Sequence, residues 1–400
     1  MAHISMREKL VLGLGGTVDY EIAWDSRVIE HLIREYSIRA SELDASIPVM
    51  SERDLVVTLL AFLEGGAGGE RFVASSDIVE TFAARFDRRI TLGGTCVRAA
   101  MAMQALGIES TVHLVSIDDH VRRLLPAGCA YLCSADHDTT DPHLIVQFNA
   151  GARVQAGDID LRAPHPNRVI YANDPPNEQL LLSNALGEVL RDAEVFLISG
   201  FNVIQDTDLL QERLVDILRH MQQLPVTAVV YYEDAGFHVP AMSRYVRDAL
   251  IGVIDVYSMN EDEMQAYLGR PVDLLAVDEV AEALRELQRL IPAATLVVHT
   301  KYWSLALGEF AASYGASLQG GITMASTRYC YGDDFTERDY REVDNRRPSV
   351  PGTRFASDLE DRMGHTVRCL PAFALTVAAP TTIGLGDSFV GGFIAALARR

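Results

Sequence analysis

The sequence predicts an α/β protein: a mainly parallel sheet with helices on both faces and a small β-rich unit inserted into it. Three observations carry this prediction. Val/Ile-rich runs alternate with amphipathic helical stretches along most of the chain. Those runs are apolar at successive positions, the pattern of strands buried on both faces. Residues 20–50 and roughly 130–185 break the alternation with short β-like pieces among Pro and Gly.

Taken in order, "KLVLGLGG" (9–16) reads as a strand breaking into a glycine turn, and "TLGGTC" (91–96) as a strand-to-helix glycine turn. "TCVRAAMAMQALG" (95–107) has helical spacing and a glycine stop. "STVHLVSI" (110–117), "EVFLISG" (194–200), "VTAVVYYED" (226–234), "GVIDVYSMN" (252–260) and "ATLVVHT" (294–300) are strands of the main sheet. Between them lie helices such as "DLLQERLVDILRHMQQL" (208–224) and "VDEVAEALRELQRL" (277–290). "HLIVQF" (143–148) and "NRVIYAN" (167–173) belong to the inserted sheet. Residues 331–365 are polar, charged and Pro-containing and read as an exposed loop. The expected division is a large unit of residues 1–19, 51–129 and 186–400, and a small lid of residues 20–50 and 130–185.

Bulk properties exclude several classes. With 400 residues and 48% hydrophobic, the chain can bury a large core. A formal charge of −20 argues against a nucleic-acid partner, which needs clustered cations. Lys9 and Lys301 are the only lysines and neither follows a glycine-rich loop, so a P-loop is excluded. The five cysteines (Cys96, Cys129, Cys133, Cys330 and Cys369) include no CxxC pair; Cys129 and Cys133 are spaced to share a helix face. No basic-then-apolar leader and no run of roughly 18 apolar residues is present, so no membrane partner is expected and the location expected is cytoplasmic.

The chemistry concentrates at strand ends, where open α/β sheets place their sites. In "TTIGLGDSFVGGF", Gly384 and Gly386 permit a close approach of backbone to ligand, and a helix read as running from Ser388 offers free amides: an anion hole. Asp387 in that turn either caps the helix or accepts the proton of an attacking hydroxyl while the amides hold the transferring phosphoryl group. Glu233 ends a strand, where a carboxylate is placed to serve Mg²⁺. Asn260 and Glu263 have capping-box spacing, and Glu263 emerges on the same sheet edge as Glu233. Gly13 and Gly15 fit the start of a dinucleotide fingerprint, but Val18 takes the third glycine's place, which leaves Asp19 free for substrate hydroxyls.

In this order, an Asp after a glycine turn, Gly-Gly before a helix, an acidic strand end, Asn-x-x-Glu and Gly-x-Gly-Asp resemble the ribokinase-like superfamily. "HLIVQF", "LISGFN" (197–202), "YYE" (231–233), "NEDE" (260–263), "HTKYWSLALG" (299–308) and "GLGDSF" (384–389) narrow the resemblance to the ADP-dependent sugar kinases, the glucokinase and phosphofructokinase group. The resemblance implies a ribokinase-like fold and Mg²⁺-dependent phosphoryl transfer from ADP, or ATP, to a sugar-like hydroxyl. It implies Asp387 as the base, with Gly384 and Gly386 as the anion hole. Glu233 and Glu263 would organise Mg²⁺ largely through water. Asn260, His299, Thr300 and Lys301 would lie by the nucleotide, and Asp19, Gly93, Gly94 and Thr95 by the sugar. The chain departs from the group where asparagines are usual, carrying Gly15, Thr17 and Thr95, and where a His usually stands two before the metal glutamate, carrying Tyr231. Those departures raise a second reading, a sugar- and nucleotide-binding pseudo-kinase. A third, an NAD-linked oxidoreductase, rests on "GLGG" alone. Oligomeric state is not legible.

Overall fold

The main sheet has nine strands in the order Val367–Pro371, Trp303–Gly308, Thr295–His299, Val256–Asn260, Val229–Glu233, Val195–Ile198, Leu10–Leu12, Ser110–Leu114 and Cys129–Cys133. In the computed structural model, which describes residues 10–377 and 380–398, Trp303–Gly308 pairs antiparallel with both of its neighbours, Val367–Pro371 and Thr295–His299, and the other neighbours pair parallel. Lys9, expected to open the first strand, and the two C-terminal arginines lie outside the described residues. Each expected strand forms, because Val, Ile and Leu at successive positions are buried by helices on both faces. The strand Trp303–Gly308 turns back on its neighbour as a hairpin closed at Thr300, whose hydroxyl accepts from the amides of Tyr302 and Trp303.

A second sheet of five strands has the order Gly69–Phe72, Asn167–Ala172, His143–Phe148, Thr17–Ile22 and Arg88–Gly93. The helices Ser26–Glu35, Glu52–Gly65 and Ser76–Ala83 accompany it. It therefore takes strands from residues 69–72 and 88–93, which the expected division gave to the large unit, while Cys129–Cys133 lies in the main sheet. Residues 13–16 carry the chain straight from one sheet into the other. The glycine turn thus leads into a strand rather than a helix, which removes the structural context of a dinucleotide fingerprint.

Three helices stack where the site forms. Leu385–Ala398 lies against Gly315–Tyr331 and Thr95–Gln104. Glycines set the spacing: a Cβ on Gly391 would stand 2.8 Å from the Ala99 carbonyl oxygen, and one on Gly320 2.5 Å from that of Gly392. The backbones touch.

Three expectations are corrected. Residues 331–365 are not a loop: they fold into the helices Glu337–Asp344 and Val350–Met363, flanked by short 3₁₀ turns. Thr336 and Asp339 form a capping box on the first, Ser349 caps the second with a proline in its first turn, and Val343, Phe355 and Leu359 are buried. Cys129 and Cys133 share a strand, not a helix, because a parallel ladder with Ser110–Leu114 claims the segment; all five cysteines are free. The last helix begins at Leu385, so Asp387 sits inside its first turn.

Candidate active site

Residues 384–387 form the wall between two cavities. A cavity of about 270 Å³ between the sheets is lined by Asp19, Gly94, Thr95, Arg98, His143, Asp174, Asn177, Gly384 and Asp387, among others. A second, of about 520 Å³, is lined by Asn260, His299, Thr300, Lys301, Leu385, Gly386 and Phe389, with Ile322, Tyr329, Phe373 and Leu375 forming an apolar side. One helix entrance therefore faces both.

The turn is built by its glycine and its cap. Gly384 has φ 66°, in the left-handed region, and a Cβ there would stand 2.9 Å from Cδ and 3.1 Å from Nη1 of Arg98. The Ser388 amide and hydroxyl both donate to the Gly384 carbonyl, which leaves the amides of Leu385, Gly386 and Asp387 with no carbonyl one turn back. Gly386 needs its glycine less, since a Cβ would meet only His299 Cε1, at 3.5 Å. Asp387 does not cap its own helix: among the described residues its carboxylate has an ion-pair contact with Arg98 (Nε to Oδ2, 3.9 Å) and accepts no hydrogen bond. Its side chain is 24% exposed, to the smaller cavity.

On the smaller-cavity side, Asp19 is buried on the strand Thr17–Ile22. Its Oδ1 accepts from Thr17 Oγ1 at 2.7 Å and its Oδ2 from Arg98 Nη2 at 2.8 Å. Gly93 pairs with Thr17 across the sheet, and a Cβ on it would collide with the Thr17 and Asp19 side-chain oxygens. Gly94 and Thr95 open the helix Thr95–Gln104, so a second helix N-terminus reaches the same cavity. Opposite, His143 Nε2 lies 2.9 Å from Asp174 Oδ2. Burial works against a charged His143, but the hydrogen bond and charge of Asp174 outweigh it and raise the imidazole to about 9. Asn177 donates to the Gly16 carbonyl at 2.9 Å and to Asp174 at 2.8 Å. A side-chain amide thus stands beside the very turn where the chain carries Gly15 in place of an asparagine.

On the larger-cavity side, His299 Nε2 lies 2.9 Å from Glu233 Oε1 and its ring stacks on Phe389 at 4.5 Å. Burial opposes the His299 charge, yet Glu233 holds the imidazole above its ordinary range. Tyr231 donates to Glu233 Oε2 at 3.4 Å, so Glu233 draws its imidazole from His299, two strands along the sheet, while a phenol occupies the position two before it. Asn260 and Glu263 form the full capping box: Asn260 Oδ1 accepts from the amides of Asp262 and Glu263, and Glu263 Oε2 from that of Asn260. Burial pushes the Glu263 carboxyl up to about 7; Glu233 adds to the push, and the Asn260 amide and His299 oppose it. The Thr300 hydroxyl serves its own hairpin, and Lys301 is exposed, with Nζ 5.0 Å from the Tyr302 ring centroid. Two mutually repelling carboxylates fit a cation. Among the described residues no three metal-ligating side chains cluster, so these two carboxylates would hold a cation only together with water or ligand oxygens, not as an all-protein cage.

Sequence reasoning passed over three groups. Arg98 was visible in principle as the lone charge in "TCVRAAMAMQ". The His143–Asp174 pair joins a strand start to a helix cap and leaves no local signal. Asp234 is buried, accepting from the hydroxyls of Tyr232, Tyr257 and Tyr267 and the Ala235 amide, and looks like a loop residue in "YYEDAG".

The sequence pattern described as the ADP-specific phosphofructokinase/glucokinase conserved region matches residues 8–392. The fold is similar to two structures from Pyrococcus horikoshii OT3. A phosphofructokinase with AMP has TM-score 0.78 at 17% identity, covering 98% of this chain and 99% of that one. A hypothetical ADP-dependent phosphofructokinase has TM-score 0.79 at 18% identity, with the same coverage. An ADP-dependent kinase in complex with fructose-6-phosphate and ADPbetaS has TM-score 0.73 at 14% identity, covering 98% of this chain and 94% of that one. At these identities the likeness is one of fold. A search of curated proteins finds no match.

Proposed function

The chain belongs to the ADP-specific phosphofructokinase/glucokinase family, and from that premise we propose that it moves the β-phosphoryl group of ADP to a sugar hydroxyl, releasing AMP, with Asp387 as the general base. The observation that supports this most is the shared wall. Asp387 faces the smaller cavity and accepts no hydrogen bond among the described residues, and Gly386, one residue back, faces the larger. A sugar in the first and a nucleotide in the second would meet at residues 384–387.

In this reading Asp387 takes the proton as the acceptor oxygen bonds to phosphorus and the bond to the AMP oxygen breaks. The amides of residues 385–387 hold charge on the phosphoryl oxygens, at the positive end of a helix. Asp19 and the turn at Gly93, Gly94 and Thr95 orient the sugar. Asn260, His299, Thr300 and Lys301 border the nucleotide. Glu233 and Glu263 would hold Mg²⁺ through water, which would neutralise the donor phosphates. The second sheet, built from strands at 17–22, 69–72, 88–93, 143–148 and 167–172, acts as the lid that keeps water from the donor.

Arg168, exposed in the lining of the smaller cavity and without an ion pair among the described residues, favours an acceptor that already carries an anionic group. Asp387→Asn tests the central claim: thermal unfolding should be near that of the parent, and AMP release with ADP, Mg²⁺ and fructose 6-phosphate or glucose should fall by about 10²–10⁴. Parent-like turnover in that variant rejects Asp387 as base. Binding of sugar and ADP by calorimetry with no turnover in the parent would favour the pseudo-kinase instead.

A further inference from the structure

We propose that Arg98 is a positioning residue for phosphoryl transfer, tying the sugar-side carboxylate Asp19 and the base Asp387 into one rigid frame. The inference rests on the assignment of Asp387 above. Arg98 is 5% exposed and is the only charged side chain of the helix Thr95–Gln104. Its Nη2 donates to Asp19 at 2.8 Å, and Glu21 Oε1 lies 3.8 Å from the same nitrogen. Its Nε stands 3.9 Å from Asp387 Oδ2. The side chain reaches that point by crossing Gly384, where a methyl group would collide with it.

The two distances differ in a useful way. Asp19 is gripped by a charge-assisted hydrogen bond. Asp387 is attracted but not captured, which leaves its oxygens open to a substrate hydroxyl. Asp19 belongs to the second sheet and Asp387 to the helix Leu385–Ala398, so Arg98 couples the part that orients the acceptor to the part that deprotonates it.

The charged surroundings make Arg98 the principal cation there. From the helix Gly315–Tyr331, Arg328 also faces Asp387, but it donates to the Ile383 carbonyl at 2.8 Å and is paired with Asp333. Burial pushes the Cys96 thiol up to about 12, so it stays neutral beside Asp387. Asp19, Glu21 and Asp333 supply the surrounding negative charge. Without Arg98, the carboxylates of Asp19 and Asp387 would lose the cation that each of them now contacts.

Arg98→Gln and Arg98→Lys decide the matter, assayed as AMP release with ADP, Mg²⁺ and fructose 6-phosphate, or glucose where it turns over faster, from pH 5.5 to 9, alongside thermal unfolding. In Arg98→Gln, kcat should fall about 100-fold, the acidic limb of the kcat/KM profile should move to higher pH, and added guanidinium ion should restore part of the rate. Arg98→Lys should keep the parent limb, because the charge remains, but raise the acceptor KM about tenfold, because one ammonium cannot serve both carboxylates. A loss equal at every pH, with no guanidinium rescue and an unmoved acceptor KM, overturns the proposal and leaves Arg98 a structural tie. Should Arg98→Gln fail to fold, Arg98→Lys carries the test alone: an unchanged acceptor KM overturns it. Asp387→Asn separates the two levels. If that variant is inactive while the Arg98 variants behave as mere structural lesions, only the present inference fails; if it is active, the base assignment fails and this inference with it.

Discussion

Gly384→Ala should damage the site more than the fold, and its neighbour Gly386→Ala supplies the control. At Gly384, an alanine must hold φ near 66°, which costs about 1–2 kcal/mol. Part of that is returned because alanine stiffens the unfolded chain by about 0.4–1 kcal/mol. Its Cβ would also stand 2.9 Å from Arg98 Cδ and 3.3 Å from Asp387 Oδ2. Arg98 cannot retreat freely, being held by Asp19 at 2.8 Å, so the strain passes to the turn and to Asp387. A net loss of roughly 2 kcal/mol follows, which lowers Tm by only about 2–3 °C in a chain of this length. A displacement of the base approaching 1 Å, however, costs up to about 100-fold in rate. At Gly386 the added methyl meets one ring atom at 3.5 Å, an ordinary contact, and alanine is the better helix former. That variant should keep or slightly raise Tm and show its effect, if the nucleotide phosphates approach the turn, in the KM for ADP. Calorimetric melting and AMP release measure both. Parent-like turnover in Gly384→Ala, or a larger Tm loss in Gly386→Ala than in Gly384→Ala, would refute the reasoning.

Two further outcomes are expected. His143 has a folded pKa of about 9, above the ordinary 6.5, so the folded state binds its proton more tightly. Its stabilisation is fully present below about pH 6.5 and disappears as pH rises through 9. The Tm gap between the parent and His143→Gln should therefore be a few degrees at pH 6 and shrink toward pH 9; a gap independent of pH contradicts the ion pair with Asp174. Gly392→Ala should be severely destabilised, by about 3 kcal/mol or more, because its Cβ would run into the Gly320 carbonyl across the helix contact. A Tm within 1 °C of the parent would show that the two helices separate easily.

How much of this was legible depended on burial. The parallel strands could be read because helices cover both faces and make each run continuously apolar, as in "LVVH" and "VFLI". The strand Gly69–Phe72 escaped notice, and of Arg88–Gly93 only the end at "TLGG" was read, because the two form the edges of the second sheet, where polar residues such as Glu70, Arg88 and Arg89 face solvent and mask the alternation. Residues 331–365 hid for a related reason: each helix buries few side chains and shows solvent a dense charged face, so composition outweighed the capping signals at Thr336 and Ser349. At the site, motifs confined to one turn, such as residues 384–387 and the Asn260–Glu263 box, were readable from spacing. Partnerships across the fold were not. Nothing in "VRAAM" says that its arginine meets Asp19 and Asp387, and nothing near Tyr231 says that His299 will supply the imidazole beside Glu233.

Lys301 stands exposed on the lining of the larger cavity, and the sequence holds only one other lysine, Lys9. Amine-directed chemistry, which on most proteins scatters over dozens of positions, has almost nowhere else to go here. A dye, a photocrosslinker or a surface tether attached through a primary amine lands at the rim of that chamber or near the start of the chain. The scarcity of one residue type turns an indiscriminate reagent into an address.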